Sequence, residues 1–105
     1  MTRAIADRMV SIFGDKWSIH LLGTLAFGEG PLRFNQLMEA LKPISSRTLS
    51  AELVKLAEHG IVKKEIEHAS PPFSKYSLTE KGMDLVPVLK AMAEWHQKWY
   101  GKTQR

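Results

Sequence analysis

Residues 44–62 read Ile-Ser-Ser-Arg-Thr-Leu-Ser-Ala-Glu-Leu-Val-Lys-Leu-Ala-Glu-His-Gly-Ile-Val, the outline of a capped helix that runs straight into a strand. Ser45 is placed as the N-cap, its hydroxyl accepting from an orphan backbone N–H, and Ile44 before it can staple onto Leu49. The helix therefore starts near Ser46. Leu49, Leu53 and Leu56 recur at i, i+4 and i+7 and bury one face, while Gly60 stands where a C′ residue would stop the helix. The opposite side carries Arg47, Ala51, Val54 and Glu58, flanked by Thr48, Ser50 and Lys55. Its first two turns hold no bulky apolar residue. Short side chains let a helix approach base edges, Arg47 can reach guanine or phosphate, and Ser, Thr and Ala suit mixed polar and methyl contacts. This is the outline of a DNA recognition helix. An ordinary solvated helix face has the same composition, so the helix alone leaves both readings open.

Outward from this helix, apolar periodicity divides the rest of the chain. Ile5, Met9, Ile12 and Phe13 mark a first amphipathic helix that Gly14-Asp15 ends. A second begins near Lys16, presents Trp17, Leu21, Leu22 and Leu25, and stops at Gly28-Glu29-Gly30-Pro31. Leu32 and Arg33 form a short extended piece. Phe34, Leu37, Met38 and Leu41 then repeat at helical spacing until Lys42-Pro43 breaks the run. Two helices around a tight turn result. Residues 61–67 and 75–78 have strand character, and Ala69-Ser70-Pro71-Pro72 between them predicts a hairpin with a stiff tip. Thr79 is placed to cap a last long helix with Leu85, Leu89, Met92 and Trp99 in one stripe and Val88 and Trp95 beside it. Pro87 should kink that helix.

Composition sets wide bounds. A chain of 105 residues supports one small domain with little surface to spare, so a second subunit would supply useful burial. The net charge of +4 favours anionic partners only modestly, because Lys98, Lys102 and Arg105 place three charges in an acid-free tail. Cysteine is absent, which removes disulfides, thiolate catalysis and thiolate zinc sites and fits a reducing compartment. Arg3, Asp7 and Arg8 interrupt the N-terminal apolar residues, and no apolar run approaches a membrane span. A soluble, unprocessed, cytoplasmic protein without membrane contact is expected.

Several motifs occur in an order and spacing that resemble one family. These are Gly14-Asp15-Lys16-Trp17, then Gly30-Pro31-Leu32-Arg33-Phe34-Asn35-Gln36-Leu37, then Ile44-Ser45-Ser46-Arg47-Thr48-Leu49. Glu58-His59-Gly60-Ile61-Val62, Tyr76-Ser77-Leu78-Thr79-Glu80-Lys81-Gly82, Pro87-Val88-Leu89 and Trp95 complete the set. The chain resembles an HxlR-type winged helix-turn-helix transcriptional regulator within the broad MarR-like superfamily. That resemblance implies an α+β, mainly α fold with a two- to three-stranded antiparallel wing and N- and C-terminal dimerisation helices. It further implies a homodimer on a pseudo-palindromic operator, with the helix carrying Ser46, Arg47, Thr48 and Ser50 in the major groove of double-stranded DNA. The expected layout is one domain over residues 1–105, with the helix-turn-helix in 33–60, the wing in 61–78, and dimerisation helices in 1–13 and 79–100.

Candidate DNA contacts are then Asn35, Gln36, Ser45, Ser46, Arg47, Thr48, Ser50, Ala51, Lys55, Lys63 and Lys75. Candidate dimer contacts are Ile5, Met9, Leu89, Met92, Trp95 and Trp99; the apolar surface of Ile5, Met9, Met92, Trp95 and Trp99 exceeds what so small a core needs. Two departures from the family pattern stand out. Relatives that sense electrophiles or oxidants use a cysteine near the first helix, which this chain lacks. Many relatives carry arginine after the Pro-Pro pair, where Phe73 stands here with Lys75 two residues later. Lys63, Lys64, His68 and Lys75 can touch phosphate or simply be solvated strand charges.

Other chemistry finds little support. His20, His59, His68 and His96 form no i, i+4 pair, so no preformed metal site is expected, and His20 reads as a helix-packing residue. Gly28 and Gly30 lie in a turn without the lysine and hydroxyl of a phosphate loop. No cofactor and no enzymatic activity are expected. Trp95, Trp99 and Tyr100 can line a ligand pocket, but at helical spacing they more often form core or dimer contacts. Any small-molecule effector must be read non-covalently or by methionine oxidation, and the space between the dimer helices is the expected pocket. The alternative function is a winged-helix protein-interaction module without DNA binding, kept open by the missing wing arginine.

Overall fold

A computed structural model describes residues 1–101, and Lys102 and Arg105 of the expected basic tail lie outside that range. The order of elements is α1 (Arg3–Phe13), α2 (Ser18–Phe27), β1 (Leu32–Arg33), α3 (Phe34–Ala40), α4 (Ser46–Glu58), β2 (Val62–Glu67), β3 (Phe73–Leu78), α5 (Glu80–Met83) and α6 (Val86–Tyr100). The three strands form one antiparallel sheet in the order β1-β3-β2. Mainly helical with a three-stranded wing, this is the winged helix-turn-helix fold that the motifs predicted. Among the described residues no helix is long and apolar enough to cross a membrane.

Local rules account for the ends of α4. Ser45 is extended and its hydroxyl accepts from the Thr48 N–H, so the helix begins at Ser46. At the other end Gly60 takes φ +73, donates to Ala57 O, and lets Ile61 N–H reach back to Leu56 O. Those two bonds satisfy carbonyls that the last turn leaves orphaned, and Ile61 and Leu56 both enter the core. Leu49, Leu53 and Leu56 point inward with Leu21, Leu22 and Leu37 of α2 and α3. Burying each such side chain contributes about 1.5–3 kcal/mol, which fixes the angle of α4 against the two preceding helices.

Several boundaries differ from expectation, and β3 begins at Phe73, two residues before the expected Lys75. Helix α2 begins two residues later than Lys16, because the Asp15 carboxylate accepts from the Trp17 and Ser18 N–H groups and so completes the turn before it. Thr79 does cap a helix, through Gly82 N–H, but that helix is the single turn α5. Gly82 is needed there: a Cβ would lie 2.2 Å from Ile61 O. No kinked helix continues through Pro87. Without an N–H, and with a ring that would press on the carbonyl four residues back, Pro87 sits in the first turn of a new helix.

Helix α6 then leaves the domain. Leu89 is 9% exposed and belongs to the core, but every residue from Lys90 to Tyr100 is exposed. The radius of gyration is 15.1 Å, above the roughly 13 Å expected of a compact chain of this length.

Candidate nucleic-acid interface

The open face of α4 carries Ser46, Arg47, Ser50 and Ala51, all exposed, with Thr48 half-buried beside them. Arg47 stands in the first turn with no ion pair among the described residues, where the helix N-terminus already favours anions. Ser45 is committed to capping, and its hydroxyl also bonds Thr48 Oγ1 at 2.9 Å. Asn35 and Gln36 lie exposed in the first turn of α3. Gln36 Oε1 accepts from Arg33 N–H at 2.8 Å, which holds its side chain and leaves its amide N–H groups outward. The residues of α3 and α4 expected to touch DNA therefore share the exposed ends of two consecutive helices, with one exception.

The exception is Lys55. Its ammonium turns inward to Asp15, to Glu52 Oε2 at 3.1 Å and to Ser18 Oγ at 2.7 Å, so all of its N–H donors are occupied. Ser18 is fully buried, and its one hydroxyl proton serves either Asp15 Oδ1 at 2.9 Å or Glu52 Oε2 at 3.2 Å. For Asp15, burial opposes ionisation, but hydrogen bonds within the cluster and from Trp17 N–H outweigh it and hold the carboxyl well below the usual range. Burial pushes Glu52 upward, and the neighbouring Asp15 adds to that push against the pull of Lys55. For Lys55, burial is outweighed by the two carboxylates, which raise its pKa. The cluster ties the start of α2 to the middle of α4. Sequence reading placed Lys55 on the DNA side because nothing local reveals a partner forty residues earlier.

On the wing, strand alternation sorts the cations. Lys63 and Lys75 lie on the sheet face that also carries Glu65 and Glu67, and each already pairs with a glutamate, Lys63 with Glu65 at 3.7 Å and Lys75 with Glu67 at 3.1 Å. Arg33, directly opposite Lys75 on β1, lays its guanidinium over the Phe73 ring at 3.9 Å from the centroid. A cation thus reaches the base of the wing from a different strand. Lys64 lies on the other face with Val62 and Tyr76, beside α4, and has no ion pair among the described residues. Lys64 was expected to touch phosphate or to be merely solvated, and Arg33 was not among the candidate contacts. Alternation from buried Val62 carries the signal for Lys64; Arg33 had none.

The expected dimer residues divide in two. Ile5, Met9, Met92, Trp95 and Trp99 are exposed on α1 and α6, the two tryptophans at 59% and 64%. Leu89 does not join them, since the core of its own chain already covers it. His20 is exposed rather than packed between helices, its ring 5.5 Å from that of Trp17.

Over residues 12–104 the sequence matches the family model described as HxlR-like helix-turn-helix. An uncharacterized HTH-type transcriptional regulator of Methanothermobacter thermautotrophicus is 37% identical over 95 residues, covering 90% of this chain and 70% of that protein. Another, from Halalkalibacterium halodurans, is 36% identical over 89 residues, covering 85% and 78%. Among solved structures, a transcriptional regulator of the MarR family from Enterococcus faecalis V583 superposes with a TM-score of 0.82 at 27% identity, covering 98% of this chain and 93% of that one. The redox regulator HypR in its reduced form gives 0.79 at 34% identity over 90% and 91%.

Proposed function

The chain belongs to the HxlR-like helix-turn-helix family of transcriptional regulators, not to an enzyme family, and on that premise we propose that it acts as a homodimer on a pseudo-palindromic operator. The observation that carries this reading is the open face of α4: Arg47 at the helix N-terminus without an ion pair among the described residues, with Ser46, Thr48, Ser50 and Ala51 around it. Arg47 reads a base edge, Asn35 and Gln36 fix the register from α3, and Arg33, Lys63, Lys64 and Lys75 meet phosphates from the wing. Lys55 supports α4 from within instead of touching DNA. Phe73 in place of a wing arginine weighs less for a protein-binding module, because Arg33 stacks on that ring.

The dimer forms through α1 and α6. Ile5, Met9, Met92, Trp95 and Trp99 would bury their exposed area against a second copy, placing two recognition helices roughly 34 Å apart for successive major grooves. HypR is a redox regulator. These 105 residues contain no cysteine, so no thiol switch is available within them.

Base reading and phosphate holding separate experimentally. Arg47→Ala should weaken operator binding by about 1–3 kcal/mol, mainly at one base pair of each half-site. Lys63→Ala should weaken all duplexes alike and lower the salt slope by about one per subunit. Titrations on operator and scrambled duplexes at several salt concentrations test both; an equal loss on both duplexes for Arg47→Ala would overturn the base-reading role.

A further inference from the structure

We infer that Val54, with Ala51, reads thymine methyl groups, so that each operator half-site holds thymine within about three base pairs of the pair met by Arg47. The inference rests on the DNA-binding reading above and adds to it the base that the apolar part of the α4 surface selects.

Val54 is the side chain of α4 that packing does not explain. It stands in the third turn and is 58% exposed, whereas Leu49, Leu53 and Leu56 of the same helix are buried. Val62, Lys64 and Tyr76 of the sheet lie to one side of it, yet among the described residues nothing covers it. A β-branched residue at an exposed helix position also weakens the helix slightly relative to alanine. Neither the core nor helix propensity requires valine here.

Its position supplies the reason. At about 100° per residue, Arg47, Ala51 and Val54 fall within about 60° of one another on the helix wheel. All three are exposed, so Val54 extends by one turn the surface that begins with Ser46 and Arg47. Glu58, exposed and next along the same line, ends it, because the phosphates repel a carboxylate. At a rise of about 1.5 Å per residue, Ala51 lies about 6 Å and Val54 about 10.5 Å beyond Arg47, or about two and three steps of a 3.4 Å base-pair stack.

The chemistry of the major groove then selects thymine. Of the four bases, thymine presents a methyl group there, while guanine, adenine and cytosine present donors and acceptors. An aliphatic side chain laid over a donor or acceptor strips its water and offers no partner. Laid over the thymine methyl, it buries carbon against carbon. Valine suits this contact because its χ1 is almost fixed in a helix: its methyls are in place before DNA arrives, and little rotamer freedom is lost on binding. Sequence periodicity put Val54 on the open side of α4 but gave it no task, since a single exposed valine is ordinary until the leucines are seen to complete the buried face without it.

Replacing thymine by deoxyuridine removes the C5 methyl and leaves the hydrogen bonds of the pair intact. The full chain is titrated on the operator footprinted in the DNA flanking its own gene, with uracil placed at one thymine position of both half-sites at a time. At a pair about three steps from the one that Arg47→Ala ceases to discriminate, uracil should weaken binding about fourfold per half-site, the worth of one buried methyl. Val54→Ala, at an exposed position and better suited to a helix, should keep its Tm and lose a similar factor on the thymine operator. On the uracil operator it should lose nothing more, because side chain and methyl form one coupled pair. Arg47→Ala should retain the whole uracil penalty. A specifically bound operator that tolerates uracil at every position, or a Val54→Ala variant in which every uracil penalty persists, overturns the methyl reading and leaves DNA binding standing. Binding to that DNA no tighter than to a scrambled duplex overturns both.

Discussion

Replacing Lys55 by methionine should destabilise the protein far more than loss of a surface lysine, although Lys55 was expected on the DNA-facing side. Methionine keeps most of the apolar stem, so the change removes mainly the ammonium and its three donors. What remains is Glu52, with a side chain 9% exposed, beside Asp15 and buried Ser18, all without their cation. Breaking a fully buried ion pair from one side costs about 3–5 kcal/mol. Water reaches this cluster, since the Lys55 side chain is 24% exposed and that of Asp15 43%, so the cost falls to about 2 kcal/mol. For a domain of this size that is a drop of about 10 °C in Tm, measured by circular dichroism at fixed protein concentration because dimerisation would also shift Tm. Adding Glu52→Gln should recover about 1 kcal/mol, since the buried carboxylate no longer needs a partner. A loss below about 0.5 kcal/mol, together with a salt slope on DNA reduced by one per subunit, would refute the reasoning and return Lys55 to the phosphates.

Two further outcomes follow from the same geometry. Because burial raises the pKa of Glu52 in the folded state, that state holds its proton more tightly than the unfolded chain; this contribution to stability is present in acid and fades as pH rises above the ordinary glutamate range. Asp15 acts in the opposite sense, its contribution disappearing only as pH falls below the ordinary aspartate range. Glu52→Gln alone should therefore flatten the stability profile just above pH 4.5 and leave the acid limb in place, as urea unfolding at a series of pH values would reveal; an unchanged slope in that window would contradict it. At the proposed dimer face, Trp95→Ala and Met92→Ala should shift the chain toward monomer in sedimentation at micromolar concentration while its fold persists, because both side chains are exposed within one chain. A monomeric wild type, or unchanged association of the variants, would rule out α1 and α6 as the interface.

Helix α4 was legible because its signals are local: a serine cap, leucines at i, i+4 and i+7, and a glycine stop lie within a few residues of what they control. Lys55 was not, since its direction is decided by Asp15, forty residues earlier in the motif Gly14-Asp15-Lys16-Trp17. Periodicity gave Leu89, Met92 and Trp99 one stripe but could not say that the stripe passes from core to solvent after Leu89. Pro87 was seen, yet a proline in a first turn and a proline in a kink share one sequence context. For the wing, composition counted lysines, whereas alternation from Val62 decides which face each one occupies, and only the folded sheet brings Arg33 to Phe73.

The most direct test of the central claim is a footprint of the protein on the DNA flanking its own gene. Two chains per duplex should protect two half-sites related by pseudo-twofold symmetry, their centres about 10 base pairs or a multiple apart on one face of the helix. Protection no stronger than on unrelated DNA, or a single protected half-site at saturation, would contradict it.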